Sequence, residues 1–359
     1  MVRLWQCLIA GAAAVSANGT FRLQDVPKTI CASTGSDKVG YFDFDNNSKH
    51  LFFWLAESRD NPSTDPVILW MNGGPGASSV AFGLFGELGP CLIDGPNATK
   101  PNPFAWNNHA NLIFVDQPVN VGFSYSDDPV KNLEDAMTDM YAFLTSFMEN
   151  FPKYAHQDFY IMELQTKKDV CNNVLNYCRD KSVSFIQAEH LSPYDFRQTC
   201  EDGGLCYQSV EWTEEYLNSS STREQLGISD DIKFNIVDAE LLQNFLDSGD
   251  MDADSIAWAE ELLNQDYRIL VYVGNKDWYC NAAGEKNLVH NLRWKHQSAF
   301  QARDSQPFTM DMQEIGIFKQ VEGLSFVEIY DAGHMVPADK PQEALFLVES
   351  WIQDRLRST

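Results

Sequence analysis

Val67-Ile-Leu-Trp-Met, Leu112-Ile-Phe-Val, Ile269-Leu-Val-Tyr-Val and Phe326-Val-Glu-Ile-Tyr are short, almost unbroken apolar runs. A strand with one wet face alternates apolar and polar residues, whereas a run without alternation needs apolar neighbours on both faces. Such runs, separated by segments of helical spacing, predict one mixed, mostly parallel sheet covered by helices, the α/β class. Leu133 to Asn150 carries that spacing through Leu133, Met137, Met140, Tyr141, Leu144, Phe147 and Met148, and Pro152 stops it. Glu343 to Leu356, just after Pro341, predicts a closing helix. Val39 to Asp45 and Leu51 to Glu57 are aromatic-rich and bounded by Asn and Asp, which predicts a hairpin at the sheet edge. Residues 170 to 265 differ, being rich in Asn, Ser and acids with four cysteines, and predict a helical insertion over one end of the sheet.

The N-terminus reads as a secretory leader over residues 1–17: Arg3, an apolar run from Leu4 to Val15, and a small-residue cleavage site at Val15-Ser16-Ala17. The run is too short to span a bilayer, and no later stretch reaches the roughly 20 apolar residues a span needs. Residues 18–359 then form one α/β domain. Four sequons, at Asn18, Asn46, Asn97 and Asn218, fit a secretory route to the extracellular space or a vacuole or lysosome. Without Cys7 of the leader, seven cysteines remain, so an oxidising compartment leaves at least one thiol outside intramolecular disulfides. With 26 Lys and Arg against 51 Asp and Glu, a net charge of −25, a nucleic-acid or anionic-membrane partner is excluded. Cys and His show no zinc-like spacing, and no metal or cofactor is implied.

Three polar segments each follow a predicted strand, where α/β sheets place their sites. Asn72-Gly-Gly-Pro-Gly after Met71 makes a tight turn whose exposed N–H groups suit a developing oxyanion. Gly274-Asn-Lys-Asp277 after Val273 and Asp331-Ala-Gly-His334 after Tyr330 supply a carboxylate and then a histidine. That order is the tail of an α/β-hydrolase triad, in which the Asp fixes the imidazole tautomer and the His is general base.

Trp70-Met-Asn-Gly-Gly-Pro-Gly-Ala-Ser-Ser, Asp116-Gln-Pro-Val-Asn-Val-Gly-Phe-Ser-Tyr and Ala332-Gly-His-Met-Val-Pro together resemble serine carboxypeptidases of the carboxypeptidase Y type, from about Gly40 to the C-terminus. The resemblance implies an α/β-hydrolase fold and release of C-terminal amino acids from peptides through an acyl-enzyme, with peptide or protein C-termini as substrate or ligand. His334 would be the base, Asp277 its partner and the Gly74 N–H one oxyanion donor. Asn72, Gly73 and Glu87 would bind the substrate's terminal carboxylate. A glutamate facing a carboxylate must be protonated, which implies activity at acidic pH. The same resemblance implies a Cys200–Cys206 disulfide and a thiol at Cys280 beside the site. It gives Ala77 and the region of Asn235 in place of a family disulfide, and leaves Cys31, Cys91, Cys171 and Cys178 without an assigned pairing.

The family's nucleophile lies in a Gly-Glu-Ser-Tyr-Ala-Gly turn after a strand reading roughly Phe-Tyr-Ile. Here Asp158-Phe-Tyr-Ile161 is followed by Met-Glu-Leu-Gln-Thr-Lys-Lys-Asp-Val-Cys171, and no G-x-S-x-G occurs in the 359 residues. A strand–helix–strand unit needs about 30 residues or more, so the elbow, its helix and the next strand have no room. The expectation is a chain without hydrolytic activity. It is either an exon-skipped or mis-assembled product of a gene for a working carboxypeptidase, or a pseudoenzyme that binds peptide C-termini. A carboxypeptidase-like acyltransferase shares the triad and would be disabled by the same gap.

Overall fold

Phe53 and Trp54 show how the first half of the chain is organised. Adjacent residues of a strand point to opposite faces, and both are fully buried. Phe53 meets Phe143 of the helix Leu133–Asn150 at 5.3 Å between ring centroids, while Trp54 meets Phe85 of the π-helix Val80–Leu88 at 5.9 Å. The sheet is therefore covered on both sides, as the apolar runs predict. The computed structural model describes residues 19–31, 36–164, 186, 188–200, 206–250 and 256–356. The predicted leader, the Asn18 sequon, Cys171 and Cys178 lie outside the described residues.

These residues divide between two compact units, one comprising Met1–Gln165 and Gln208–Met251, the other Thr166–Tyr207 and Asp252–Thr359. The first holds a seven-stranded mixed sheet. Its order is β1 (Thr20–Asp25), β2 (Lys38–Phe44), β3 (Lys49–Ala56), β7 (Asn111–Val115), β4 (Val67–Asn72), β9 (Phe159–Leu164), with β8 (Tyr125–Ser126) beside β3. The pairs β4–β7 and β4–β9 are parallel, and β1–β2, β2–β3 and β3–β7 are antiparallel. The predicted hairpin is β2–β3, but it sits inside the sheet. β1, whose residues are exposed or half-buried, covers its outer side and gives no apolar run to read. A small hairpin joins β5 (Cys91–Ile93) to β6 (Thr99–Pro101).

The helix Leu133–Asn150 has the predicted bounds. The Asn132 side chain caps it by accepting from the Asp135 N–H at 2.8 Å, and Glu134 and Asp135 complement the positive end of its dipole. Ala136, Met140, Phe143 and Phe147 enter the core.

The second unit holds a four-stranded sheet ordered β10 (Ile269–Gly274), β13 (Leu324–Ile329), β12 (Gln313–Val321), β11 (Gln306–Met310), with only β10–β13 parallel. The helices Ile256–Asn264, Ala282–Asn291 and Gln297–Ala302 place Leu263, Val289 and Phe300 in its core. The closing helix, predicted over 343–356, runs from Pro341 to Ile352. The segment read as a helical insertion is shared: Gln208–Asn218, Ser220–Gln225 and Ala239–Ser248 belong to the first unit and Ile256–Asn264 to the second.

The four apolar runs differ in burial. β4, β7 and β13 are almost wholly buried, but Ile269, Leu270, Val271 and Tyr272 of β10 are only partly so. On β9, Ile161 is 46% exposed. Among the described residues β9 pairs only with β4, and β10 only with β13. Each is the outer strand of its sheet, which is why an interior composition stands half in water.

No helix among the described residues is long and apolar enough to cross a membrane. Disulfides join Cys31 to Cys91 and Cys200 to Cys206, the second being the predicted short one. Asn46 and Asn97 are exposed, whereas the Asn218 side chain donates to the Phe234 carbonyl at 3.1 Å and accepts from its N–H at 2.9 Å.

Candidate active site

β4 delivers Asn72 to the start of the glycine turn. Gly74 and Gly76 adopt φ of 144° and 101°, values that side chains rarely take, and the Gly74–Pro75 bond is cis. At Gly76 a Cβ would also sit 3.0 Å from the Asp238 carbonyl. The turn is braced from the segment 236–238: Asp238 N–H donates to Gly76 O, and Ser78 N–H to Ile236 O, both at 3.1 Å. Ala77 lies opposite Val237 in an isolated antiparallel bridge. Backbone pairing thus holds together the two stretches that, by resemblance, a disulfide would join.

Asn72 is buried. Its Oδ1 accepts from Trp70 Nε1 at 2.7 Å, and its backbone N–H donates to Ser79 Oγ at 3.1 Å. Gly83 of the π-helix approaches so closely that a Cβ would lie 2.3 Å from Trp70 Nε1 and 3.2 Å from Asn72 Oδ1. Glu87 follows on the same helix and is also buried.

Asp116 is the keystone of this region and received no role from the sequence, although it opens the second motif. Ser78 Oγ and the Val80 N–H donate to its Oδ1 at 2.6 and 3.1 Å, and the Phe123 N–H to its Oδ2 at 3.2 Å. Gly122 has φ 59°, and a Cβ there would meet Asp116 Oδ2 at 1.8 Å. Complete burial pushes the carboxyl up to about 6, the hydrogen bonds from Ser78, Val80 and Phe123 opposing it only in part.

In the second unit, parallel pairing in register sets Gly274 against Ile329, so the loops after β10 and β13 leave the sheet side by side. Lys276 N–H donates to Ala332 O at 2.8 Å, and Asp331 N–H to Asn275 Oδ1 at 2.9 Å. A Cβ on Gly274 would meet the carbonyl oxygens of Gly333 and Ala332 at 2.2 and 2.3 Å. The result is a buried pair, His334 Nδ1 to Asp277 Oδ2 at 2.7 Å. With Nδ1 on the carboxylate, Nε2 is the nitrogen left to act as base. The Cys280 N–H holds the other carboxylate oxygen at 3.1 Å, and the His334 N–H donates to the Tyr194 carbonyl at 2.8 Å.

A support layer that the sequence did not disclose surrounds this pair. The Tyr194 ring lies 5.3 Å from both His334 and Tyr279, and burial, reinforced by Tyr279, Asp277 and Cys280, pushes its phenol up to about 12. Asp339 accepts from the Gly333 N–H at 2.6 Å. Arg197 donates to both Asp195 oxygens and to the Asp331 carbonyl. Burial works against the Asp195 carboxylate, but the Arg197 hydrogen bonds prevail and hold it below its usual range. Arg197, Asp195 and Asp339 carry no motif, because Asp339 stands 142 positions from Arg197 and meets it only in the fold.

Of the predicted residues, the fold therefore brings Asp277 and His334 into hydrogen-bond contact in one unit. It gathers Asn72, Gly73, Gly74 and Glu87 around one turn and one helix in the other.

Comparison with known proteins matches this architecture. A family model described as serine carboxypeptidase matches residues 27–163 and 162–354, in two pieces that meet at Met162 and Glu163. Carboxypeptidase Y of Komagataella phaffii is 32% identical over 408 aligned positions, covering 91% of this chain and 77% of that protein. Carboxypeptidase Y of Saccharomyces cerevisiae is 33% identical over 402 positions, covering 88% and 75%. Both alignments are longer than this 359-residue chain, so the relatives carry residues it lacks. The crystal structure of Kex1Δp, a prohormone-processing carboxypeptidase of Saccharomyces cerevisiae, superposes with a TM-score of 0.73 at 18% identity, covering 89% of this chain and 91% of that one, and shows the α/β-hydrolase fold. The family model spans nearly the whole chain, and on that ground the chain belongs to the serine carboxypeptidase family.

Proposed function

We propose that this chain carries the terminal-carboxylate recognition turn and the base of a serine carboxypeptidase but not its nucleophile, and does not hydrolyse peptides as written. The observation that carries the reading is the buried Asp277–His334 contact at 2.7 Å in a chain without any G-x-S-x-G. A base without a serine leaves only the weak rate enhancement of binding and oxyanion donors. Half of those donors go too, because the second N–H of such a hole belongs to the residue after the nucleophile. The family reaction, release of C-terminal amino acids through an acyl-enzyme at acidic pH on the secretory route, describes the complete enzyme to which this sequence is related.

Two origins remain, each with an observation in its favour. The half-exposed apolar strands β9 and β10 support an incomplete version of a working enzyme. The intact bracing of the turn at Asn72, Gly76 and Ser78 supports a protein that binds peptide C-termini without cutting them. Mass spectrometry of the natural protein after treatment with a fluorophosphonate probe separates them. A labelled peptide with an inserted G-x-S-x-G segment establishes the first origin. No label, with an unbroken tryptic peptide through Ile161-Met-Glu-Leu-Gln-Thr-Lys, establishes the gap. The binder then requires that a peptide with a terminal carboxylate bind, that its C-terminal amide not bind, and that Asn72→Ala abolish the difference.

A further inference from the structure

We propose that Asp277, Cys280 and His334 form a binding site for a soft divalent cation of the zinc type. Among the described residues they are the group of three metal-ligating side chains whose ligand atoms all lie within 4.8 Å of one another. The carboxylate and imidazole are buried, and the Cys280 thiol is half-buried and outside both disulfides. Thiolate, imidazole and carboxylate are the three side-chain donors zinc uses, and three protein ligands with water in the fourth position is its open-site arrangement. Magnesium and calcium, which demand six or more oxygens, find only one carboxylate here.

The donors are largely placed in advance. Around a tetrahedral zinc, ligand atoms stand about 3.5 Å apart, so binding closes the wider separations by roughly an ångström and opens the 2.7 Å His334–Asp277 contact. The Cys280 N–H on Asp277 and the paired loops after β10 and β13 keep the set together without metal. The cation takes the place of the proton between Nδ1 and Oδ2, which moves to Nε2 so that the imidazole stays neutral, and it displaces the thiol proton to solvent. Affinity therefore rises with pH. A net charge of −25 raises the local cation concentration. The inference goes beyond the peptidase reading and stands or falls without any peptide.

The test uses the full chain, stripped with a chelator and titrated at neutral pH with Co²⁺, then with Zn²⁺ against a chromophoric chelator. The expected result is one Co²⁺ per chain with a thiolate-to-cobalt charge-transfer band, displaced by Zn²⁺ and not by Mg²⁺. Cys280→Ser should remove the band and weaken Zn²⁺ binding by about tenfold or more. Saturable binding without the band, equal affinity in Cys280→Ser, or no saturable binding would each overturn the assignment and leave only the acidic surface holding cations. The band is read on the unmodified protein, so a variant that fails to fold does not blunt the test. Because the titration contains no peptide, its failure is distinct from a failure of C-terminus binding.

Discussion

Asp116 should make the first unit less stable as pH rises through the weakly acidic range. Burial moves its carboxyl from an ordinary 3.8 up to about 6, so the folded chain holds that proton more tightly than the unfolded chain. The contribution is most favourable below the unfolded value. It is lost progressively between about pH 4 and 6, a span worth about 3 kcal/mol. Asp116→Asn removes the titration while keeping the shape. It also turns an NH₂ toward the Phe123 N–H, which now donates to Oδ2, a constant cost of about 1–3 kcal/mol from a buried donor left unpaired. Urea denaturation of both proteins from pH 4 to 7.5, followed by tryptophan fluorescence, measures the difference between them, in which the other carboxylates cancel. Wild type should exceed the variant most at pH 4, and its margin should shrink by about 3 kcal/mol by pH 7. A margin that stays constant, or widens with pH, would refute the claim that burial outweighs the three hydrogen bonds.

Three further outcomes follow from the packing. Gly274→Ala places a Cβ against two backbone carbonyls at the loop crossing that sets the His334–Asp277 contact. It should lower the melting temperature by the equivalent of about 1–3 kcal/mol and weaken cobalt binding in parallel. Gly284→Ala, in the helix Ala282–Asn291 with its nearest neighbour at 3.4 Å, should instead stabilise by about 0.5–1 kcal/mol. Paired serine substitution of Cys31 and Cys91, separated by 60 residues, should cost about 4 kcal/mol, against about 2 kcal/mol for Cys200 and Cys206, because the shorter loop loses less entropy when closed.

What the sequence disclosed divides along a physical line. Unbroken apolar runs announce a strand by composition, so β4, β7, β10 and β13 were legible although β10 is only partly buried, as was the helix Leu133–Asn150 with its proline stop but not its Asn132 cap. β1 was not, because an outer strand with exposed and half-buried residues has no period that separates it from a loop. Asp277 and His334 were legible because each follows a core strand. Of the residues that steady them, Tyr194, Asp195 and Arg197 lie 80 to 83 positions before Asp277 and Asp339 lies five after His334, and no spacing rule joins them. The same limit hid the metal-ligand set. Cys280 and His334 stand 54 positions apart, so linear zinc patterns find nothing where the fold brings thiol and imidazole together.

The residues on the two sides of Ile161 bear on how the chain arose. Around His334 the close contacts remain intact, from the glycine that permits the loop crossing to the arginine that neutralises Asp195. Selection for binding alone gives no reason to hold an imidazole on a carboxylate at 2.7 Å. The outer strands tell the complementary story. Natural sheets protect an outer strand with lysine, proline, a bulge or shortness, yet Phe159-Tyr-Ile-Met-Glu-Leu and Ile269-Leu-Val-Tyr-Val-Gly contain neither lysine nor proline and run the full six residues. Among the described residues no second strand pairs with β9 or β10, and Ile161, 46% exposed, and the partly buried Leu270 each forgo on the order of 1 kcal/mol of burial. Residues on both sides of Ile161 are still those of an interior. If the chain is an incomplete version of a working carboxypeptidase, a tryptic digest of the natural protein yields no peptide running unbroken from Ile161 to Lys167; recovery of that peptide overturns this origin.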